Sequence, residues 1–433
     1  MYTPIIQPRI RYVFELVLGD LLLFDNIIFT EVLDDFISSE ELKINYSQYY
    51  IDNIPFVVPS GLLSEEGVQT QDLVFETYRT LPYAFGQEKA KASLPFDLFS
   101  FLFYLVSRYE EYLPFEADEH GRFTALRSIA YQQGFLHLPV VDLWTLELKK
   151  ILLEHYPNLK LPEQQYQFTP TYDIDYAYAF KYKSAWRQTG AFFRSLLKGD
   201  GEDLKLRLGT FLHLRKDPFY TFGYMLDLDK RFDLNPIYFL HIGDNGPYDK
   251  NIRYTSKGYK GMVEFLLSAK VPIGIHPSYE SNRNFKKVEE EILRLSNYTK
   301  QSITKSRQHY VKVHQPQTYQ NLIKLGIKED YSMGYANQNG FRASIARPFK
   351  WYDLEKEQAT ELIVYPFQLM DVTFKNYQEV SLSDIPKQAQ PIIDATKQVK
   401  GHLICTWHNS SFCEHWTWKG WSAMYEELLV KMK

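Results

Sequence analysis

Five short segments of this chain carry side chains that can hold a cation or move a proton. The first is Thr171-Tyr172-Asp173-Ile174-Asp175. Two carboxylates two residues apart point the same way along an extended strand, so together they can hold a cation and a proton. Like charges at that spacing push their pKa values apart, which leaves one free to act as a base while the other ligates. The same pair could equally cap a strand end. The second segment is Gly274-Ile275-His276-Pro277-Ser278-Tyr279-Glu280, in which His276 directly follows an apolar run and Glu280 lies four residues on. If the turn is helical, both could reach one ion. In Arg307-Gln308-His309-Tyr310, arginine offers a two-pronged clamp for a carboxylate. His309 there is either a third ligand or a structural hydrogen-bonder. Asp330 opens a glycine-rich stretch that runs through Asn339-Gly340-Phe341-Arg342-Ala343, a pattern that reads as a long binding loop. Finally, Thr406-Trp407-His408-Asn409 offers an imidazole able to give a proton to a leaving amine. Tyr279, Tyr310, Arg342 and Trp407 are the candidate substrate contacts. Trp418 and Trp421 are read as packing residues.

These groups need elements to position them. From about Gln167 onward, strand-like runs alternate with amphipathic helices. The strands are 166–172, 236–242, 271–276, 309–313, 361–367 and 402–408; the helices are 257–269, 285–298, 316–325 and 385–398. Such alternation predicts a parallel sheet or barrel. Asp173, Asp175, His276, Asp371 and His408 all fall where a predicted strand stops, which is where β/α barrels place their active sites. The first part reads as mixed α and β. Strands are expected over 10–23 and 72–78, an apolar helix over 96–112, and a second helix from Asp142, as N-cap, to Tyr156. The polar, proline-bearing stretch 157–167 is the expected linker.

Composition bounds the answer. The 433 residues are 45% hydrophobic and 24% charged, which is a globular balance, and the length suggests two domains. A net charge of −4 gives no basic surplus for nucleic acid. Two cysteines, Cys405 and Cys413, cannot build a disulfide framework. No stretch is long and apolar enough to predict a transmembrane segment. Arg9, Arg11 and Glu15 interrupt the apolar start that a signal peptide needs, so a cytoplasmic location is expected. With 33 Tyr and 30 Phe, the chain is rich in rings suited to stacking on sugars, although core packing uses the same residues.

Taken in order, the five segments resemble the motifs of polysaccharide deacetylases with the NodB-type domain, over Gln167 to the C-terminus. The earlier segments Phe96-Asp97-Leu98-Phe99, Ser107-Arg108-Tyr109-Glu110-Glu111-Tyr112 and His120-Gly121-Arg122-Phe123 resemble the N-terminal domain that accompanies such deacetylases in Bacteroidetes-like proteins. The resemblance implies an α/β fold: a distorted (β/α) TIM-like barrel over 166–433, preceded by a smaller α+β accessory domain over 1–161. It implies hydrolysis of N-acetyl groups on an amino-sugar glycan or precursor, with a divalent metal, commonly zinc. On the matching positions Asp173 is the general base, Asp175 and His276 are metal ligands, Arg307 orients the base, Asp330 supports it, and His408 is the general acid. Two places depart from the family: Ile174 separates Asp173 and Asp175 where the common form has adjacent aspartates, and Glu280 stands where a second metal histidine is expected. Either Glu280 ligates through oxygen or His309 supplies the third ligand. Without either, the alternative is a non-catalytic carbohydrate-binding protein that keeps the fold. Hydrolysis of a non-carbohydrate amide or ester would use the same site.

Overall fold

The computed structural model describes all 433 residues. Its centre is one nine-stranded sheet. The strands are β1 (Gln167–Ile174), β2 (Ile237–His241), β3 (Ile273–His276), β4 (Lys305–Ser306), β5 (Glu329–Asp330), β6 (Phe349–Asp353), β7 (Gln358–Val364), β8 (Leu369–Met370) and β9 (His402–His408). Their order across the sheet is β6-β7-β5-β4-β3-β2-β1-β9-β8. Every neighbouring pair is parallel except the β6–β7 hairpin. Parallel strands need helical crossovers, and helices 257–268, 285–299, 317–324 and 385–398 supply them. β2 is buried along its whole length, as expected for a strand covered on both faces.

The two ends of this ladder are joined by very little chain. β7 pairs with β5, β8 pairs with β9, and only residues 365–368 separate β7 from β8. Within that link, Phe367 N donates to Met333 O (3.1 Å) and Gln368 N to Ile404 O (3.0 Å). The sheet therefore curls so that its β5 and β9 sides face the same short connection. The curl is irregular, since β4, β5 and β8 have two residues each.

Several expectations change in the first part. Residues 10–23, expected as a strand, lie in a helix from Pro8 to Phe14 that runs into a π-helical turn, Glu15–Leu21. Ile10, Phe14 and Val17, three or four apart, are buried there, and that helical spacing overrides strand propensity. Only Glu76–Tyr78 of the stretch 72–78 is a strand, in a hairpin with Leu81–Tyr83. Asp142 lies within the first turn of the helix Val140–His155, not at its N-cap. It accepts Ala346 N (2.7 Å) and pairs with Arg347 (2.8 Å). In the second part, 309–313 holds the 3₁₀ turn His309–Val311 and no strand, because β4 ends at Ser306. Helices 185–197, 201–211 and 222–231 between β1 and β2, and strand β6, add to the expected elements.

One continuous core of buried apolar side chains runs from Ile10 to Met432, so the early residues pack directly onto the sheet. Buried ions reinforce that contact. Arg342, expected to touch substrate, instead donates to both carboxylate oxygens of Glu111 (2.9 and 2.7 Å), and Arg108 donates to Glu111 as well (2.8 Å). Burial opposes the charge on Glu111, but the two guanidinium groups outweigh it and hold the carboxyl down to about 2. A depressed acid stabilises the fold above its ordinary value of 4.5 and loses that contribution as pH falls toward 2. Glu111→Gln is expected to cost about 3–5 kcal/mol, because it strands the buried Arg342 guanidinium and leaves Arg108 with Glu110 as its one carboxylate partner. Denaturant unfolding at neutral pH reads that loss, and the gap from wild type should narrow below pH 4.5.

Candidate metal centre and cleft

Parallel register sets the strand ends side by side: His408 aligns with Asp173 across β9–β1, and His241 with His276 across β2–β3. The C-terminal edge of a parallel sheet is where α/β folds gather ligands. There, Asp175 Oδ1 lies 3.1 Å from His276 Nε2, and Asp175 Oδ2 lies 3.5 Å from His309 Nε2 and 3.6 Å from His408 Nε2. Asp173 Oδ2 is 3.9 Å from His276 Nε2.

The hydrogen bonds fix which ring nitrogens are bare. His276 Nδ1 donates to Arg307 O (2.6 Å), and a carbonyl can only accept, so neutral His276 presents a lone pair at Nε2. His309 Nδ1 donates to Asp249 Oδ1 (2.9 Å), which in turn leaves its Nε2 toward Asp175. Asp249 is held by Tyr279 N (3.0 Å). His276 Nε2, Asp175 Oδ1 and Asp173 Oδ1 are buried with no hydrogen-bond partner. An unsatisfied buried acceptor costs about 1–3 kcal/mol, so several converging ones need a cation or a proton between them. One atom from each of Asp175, His276 and His309 lies within 4.8 Å of the others. Two imidazole nitrogens and one carboxylate oxygen, with the imidazoles backed by a carbonyl and a carboxylate, are a donor set that suits zinc.

Charge in the cluster is strongly coupled. Burial works against an ionised Asp175, but His309 and His408 outweigh it and hold its carboxyl well below the usual range. Burial also opposes a charged His309, yet Asp175 and Asp249 push it up to about 9. His408 is pushed to about 10 against burial by Asp371 and Asp175. Its Nδ1 donates to Asp371 Oδ1 (2.8 Å), and Asp371 Oδ2 accepts His408 N (2.8 Å) and Ser411 Oγ. His241 donates through Nδ1 to His276 O (3.2 Å), and burial, together with His309, pushes it down to about 4.

The expected site residues divide clearly. Asp173, Asp175, His276, His309, Tyr310 and His408 line one cleft of about 320 Å³. Glu280 does not join them. Ser278 is tied to Glu291 and Tyr279 N to Asp249, which starts a 3₁₀ turn at Glu280 and leaves its side chain exposed. His309, the other option, points Nε2 at Asp175 from 3.5 Å. Arg307 is fully buried and makes no clamp on Asp173. It donates to Thr171 Oγ1 (2.8 Å) and Thr406 Oγ1, lies near the rings of Phe239 and Phe367, and acts on Asp173 only by charge. Asp330 is also fully buried, accepts Ser332 N and Oγ, and is pushed to about 6 by burial. Tyr279 stacks on Tyr248 (4.3 Å) outside the cleft lining. Trp407 is buried against Tyr425, because adjacent strand residues face opposite ways and His408 takes the cleft side. Trp418, read as packing, lines the cleft in its place. His241, Asp249 and the Arg122 wall were not anticipated. His241 ends a strand like the others, whereas Asp249 and Arg122 sit in loops with no periodic signal. Arg122 brings the first part of the chain to the cleft, donating to Tyr310 O (2.8 Å).

Residues 1–157 match a family of unknown function (DUF7033). No curated protein matches the chain. Among solved structures, the chain is similar to a Mycobacterium smegmatis protein assigned as a polysaccharide deacetylase, with 13% identity and a TM-score of 0.40, covering 63% of this chain and 86% of that one. It is similar to a Bacillus cereus polysaccharide deacetylase at 10% identity and TM-score 0.31, covering 62% and 87%. A CE4-family pseudoenzyme from Bacillus anthracis matches at 8% identity and TM-score 0.29, covering 61% and 60%. At these scores, function has to be read from the cleft itself.

If His309 has taken the ligand position, Glu280→Ala should leave zinc affinity within about two-fold of wild type, since surface changes away from a site are nearly neutral. Asp249→Asn, which loosens the His309 ring, should weaken zinc about 10–100-fold. Chelator competition on the purified chain measures both. A large loss in Glu280→Ala would return that residue to the site.

Proposed function

We propose that this chain is a metal-dependent hydrolase that removes acetyl groups from the nitrogen of an amino sugar in a glycan or glycan precursor. The observation that carries the reading is the pairing of bare buried acceptors on Asp173, Asp175 and His276 with the Asp371–His408 couple across one cleft. In this reading the sheet is a distorted (β/α) barrel, and residues 1–161 are an accessory domain that contributes a wall through Arg122. Tyr176, Phe219, Tyr310, Tyr377 and Trp418 give the cleft an aromatic lining, which suits the flat faces of a sugar ring.

Asp175, His276 and His309 would hold the cation. A divalent cation bound there supplies Lewis acidity toward the acetyl carbonyl. Asp173, whose Oδ1 has no hydrogen-bond partner and whose Oδ2 lies 3.9 Å from His276 Nε2, accepts the proton of the attacking water. Arg307, which donates to Thr171 and Thr406, does not occupy the Asp173 oxygens. His408, raised to about 10, carries its proton at neutral pH and gives it to the departing amine through Nε2, while Asp371 holds Nδ1. The amide C–N bond breaks, the acetyl carbon gains the water oxygen, and acetate and a free amine leave. A cleft of this make-up would also accept a non-carbohydrate amide, but the aromatic lining favours a sugar. The binding-only alternative drew its support from the substitution at Glu280, and His309 offers the donor that the substitution removed.

Acetate release from N-acetylated amino-sugar oligomers, by the zinc-loaded chain, tests the reading. Asp173→Asn should lower kcat by about 10²–10⁴ while zinc affinity stays near wild type. An unchanged rate would remove Asp173 from the chemistry, and no release by wild type from any N-acetylated sugar would sink the proposal.

A further inference from the structure

Between β1 and β2 the chain leaves the sheet as two helices, Ala185–Leu197 and Gly201–Phe211, that pack on each other inside out. Their shared interior is polar: Ser195 Oγ and Arg207 Nε both donate to the Asp203 carboxylate. Only Ser195, Asp203, Leu206 and Thr210 are buried in the two helices, with Leu206 seated on Ala179 and Phe180. The large apolar side chains point away from the protein. Trp186 is 85% exposed, Leu197 87%, Leu214 79%, Leu212 65% and Phe193 55%. Trp186, Phe193 and Leu197, seven and four apart, form one stripe along the first helix. Contiguous apolar surface of this kind marks an interaction site.

Charge says what covers it. Residues 181–216 contain nine Lys and Arg against three Asp and Glu, a net of +6 in a chain whose total is −4, leaving −10 for the remainder. Arg194, Lys198, Lys205, Arg215 and Lys216 are exposed among the apolar side chains. A second copy laid on this patch by two-fold symmetry would meet its own positive charge. An anionic lipid surface offers what both features need: acyl boundary for Trp, Phe and Leu, and headgroup charge for Lys and Arg. No helix of the chain is long and apolar enough to cross a membrane, so the hairpin would lie on the surface.

We propose that the helical hairpin 185–214 docks this protein on anionic membrane surfaces. The hairpin is rooted at the cleft, because Tyr176 just before it and Phe219 just after it both line that cavity. Docking would therefore bring the mouth of the cleft close to the headgroups. If the cleft is a deacetylase site, as proposed above, its amino-sugar substrate is one anchored at the bilayer; that consequence rests on the deacetylase reading, whereas docking itself does not.

The test is co-sedimentation of the full chain with phosphatidylcholine vesicles, with and without phosphatidylglycerol. Binding is expected to the anionic vesicles, to weaken with salt, and to be weak on phosphatidylcholine alone. Trp186→Glu with Leu197→Glu should reduce it about ten-fold or more, with melting temperature unchanged because both side chains are exposed. Arg194→Glu with Lys198→Glu should also reduce it, through charge alone. The metal-free chain and Asp173→Asn should bind vesicles as wild type does, so loss of acetate release and loss of docking are separable results. Absence of binding to anionic vesicles, or equal binding to neutral ones, overturns the proposal. So does a dimer in sedimentation velocity that the Trp186/Leu197 variant dissolves without any vesicle binding.

Discussion

Several lone-pair-bearing atoms with no hydrogen among them are packed together at the end of a buried sheet. His276 places its Nδ1 on a backbone carbonyl and His309 places its own on Asp249, so both rings aim Nε2 at the ionised Asp175. In the absence of positive charge such a group would repel itself, and a protein interior screens that repulsion poorly. The raised His309 and His408 show the same demand in proton terms: the carboxylates draw protons onto neighbouring rings against the cost of burial. A divalent cation meets the demand without those protons. Metal affinity and the protonation of His309 therefore compete for one pair of electrons.

That cluster exists only because the sheet is parallel and in register. Each strand delivers its last residues to the same edge, so residues more than two hundred positions apart, such as Asp173 and His408, become neighbours. The short link between β7 and β8 then limits how far the sheet can flatten, which keeps Asp371, just beyond β8, on His408. The early residues close the arrangement from outside through the continuous core and the Glu111 ion cluster, and Arg122 reaches the cleft from there. A site assembled from so many distant segments is held by packing over the whole molecule, not by any local loop.

How far this could be read from sequence follows from the same physics. Strand ends are legible because a run of apolar residues stops where a polar one begins. Asp173, Asp175, His276 and His408 were recovered on that signal. His309 stood as one of two options, and the path of the chain after Pro277 places Glu280 at the surface while His309 lines the cleft. Loops carry no period, so Asp249 left no trace, and Arg122 entered only within a motif of the first part to which no chemistry was attached. Trp407 and Trp418 changed places for a reason the sequence does contain: in an extended strand, the neighbour of a cleft-facing histidine must face the other way. Residues 10–23 were misread as a strand because a nearly continuous apolar run does not by itself separate strand from helix, and only the burial of Ile10, Phe14 and Val17 at spacings of four and three shows the helix.

With His309 as the third donor in place of Glu280, as proposed, the centre is oriented differently. A ligand four residues after His276 would ride on the same turn and be oriented by that turn's backbone. His309 comes instead from the chain beyond β4, in a 3₁₀ turn where Tyr310 has a positive φ of 62°. Nothing in the β3 loop fixes its ring. That task falls to Asp249, itself fixed by the backbone of Tyr279 in the loop that no longer supplies a ligand. The β3 loop thus still governs the third donor, but through a carboxylate and a hydrogen bond where a direct bond to the cation would otherwise stand. A donor held at one remove has more orientational freedom than one fixed by its own turn, so the geometry of the centre depends on how tightly Asp249 is packed. With Asp249 1% exposed on its side chain and His309 6%, that packing is close.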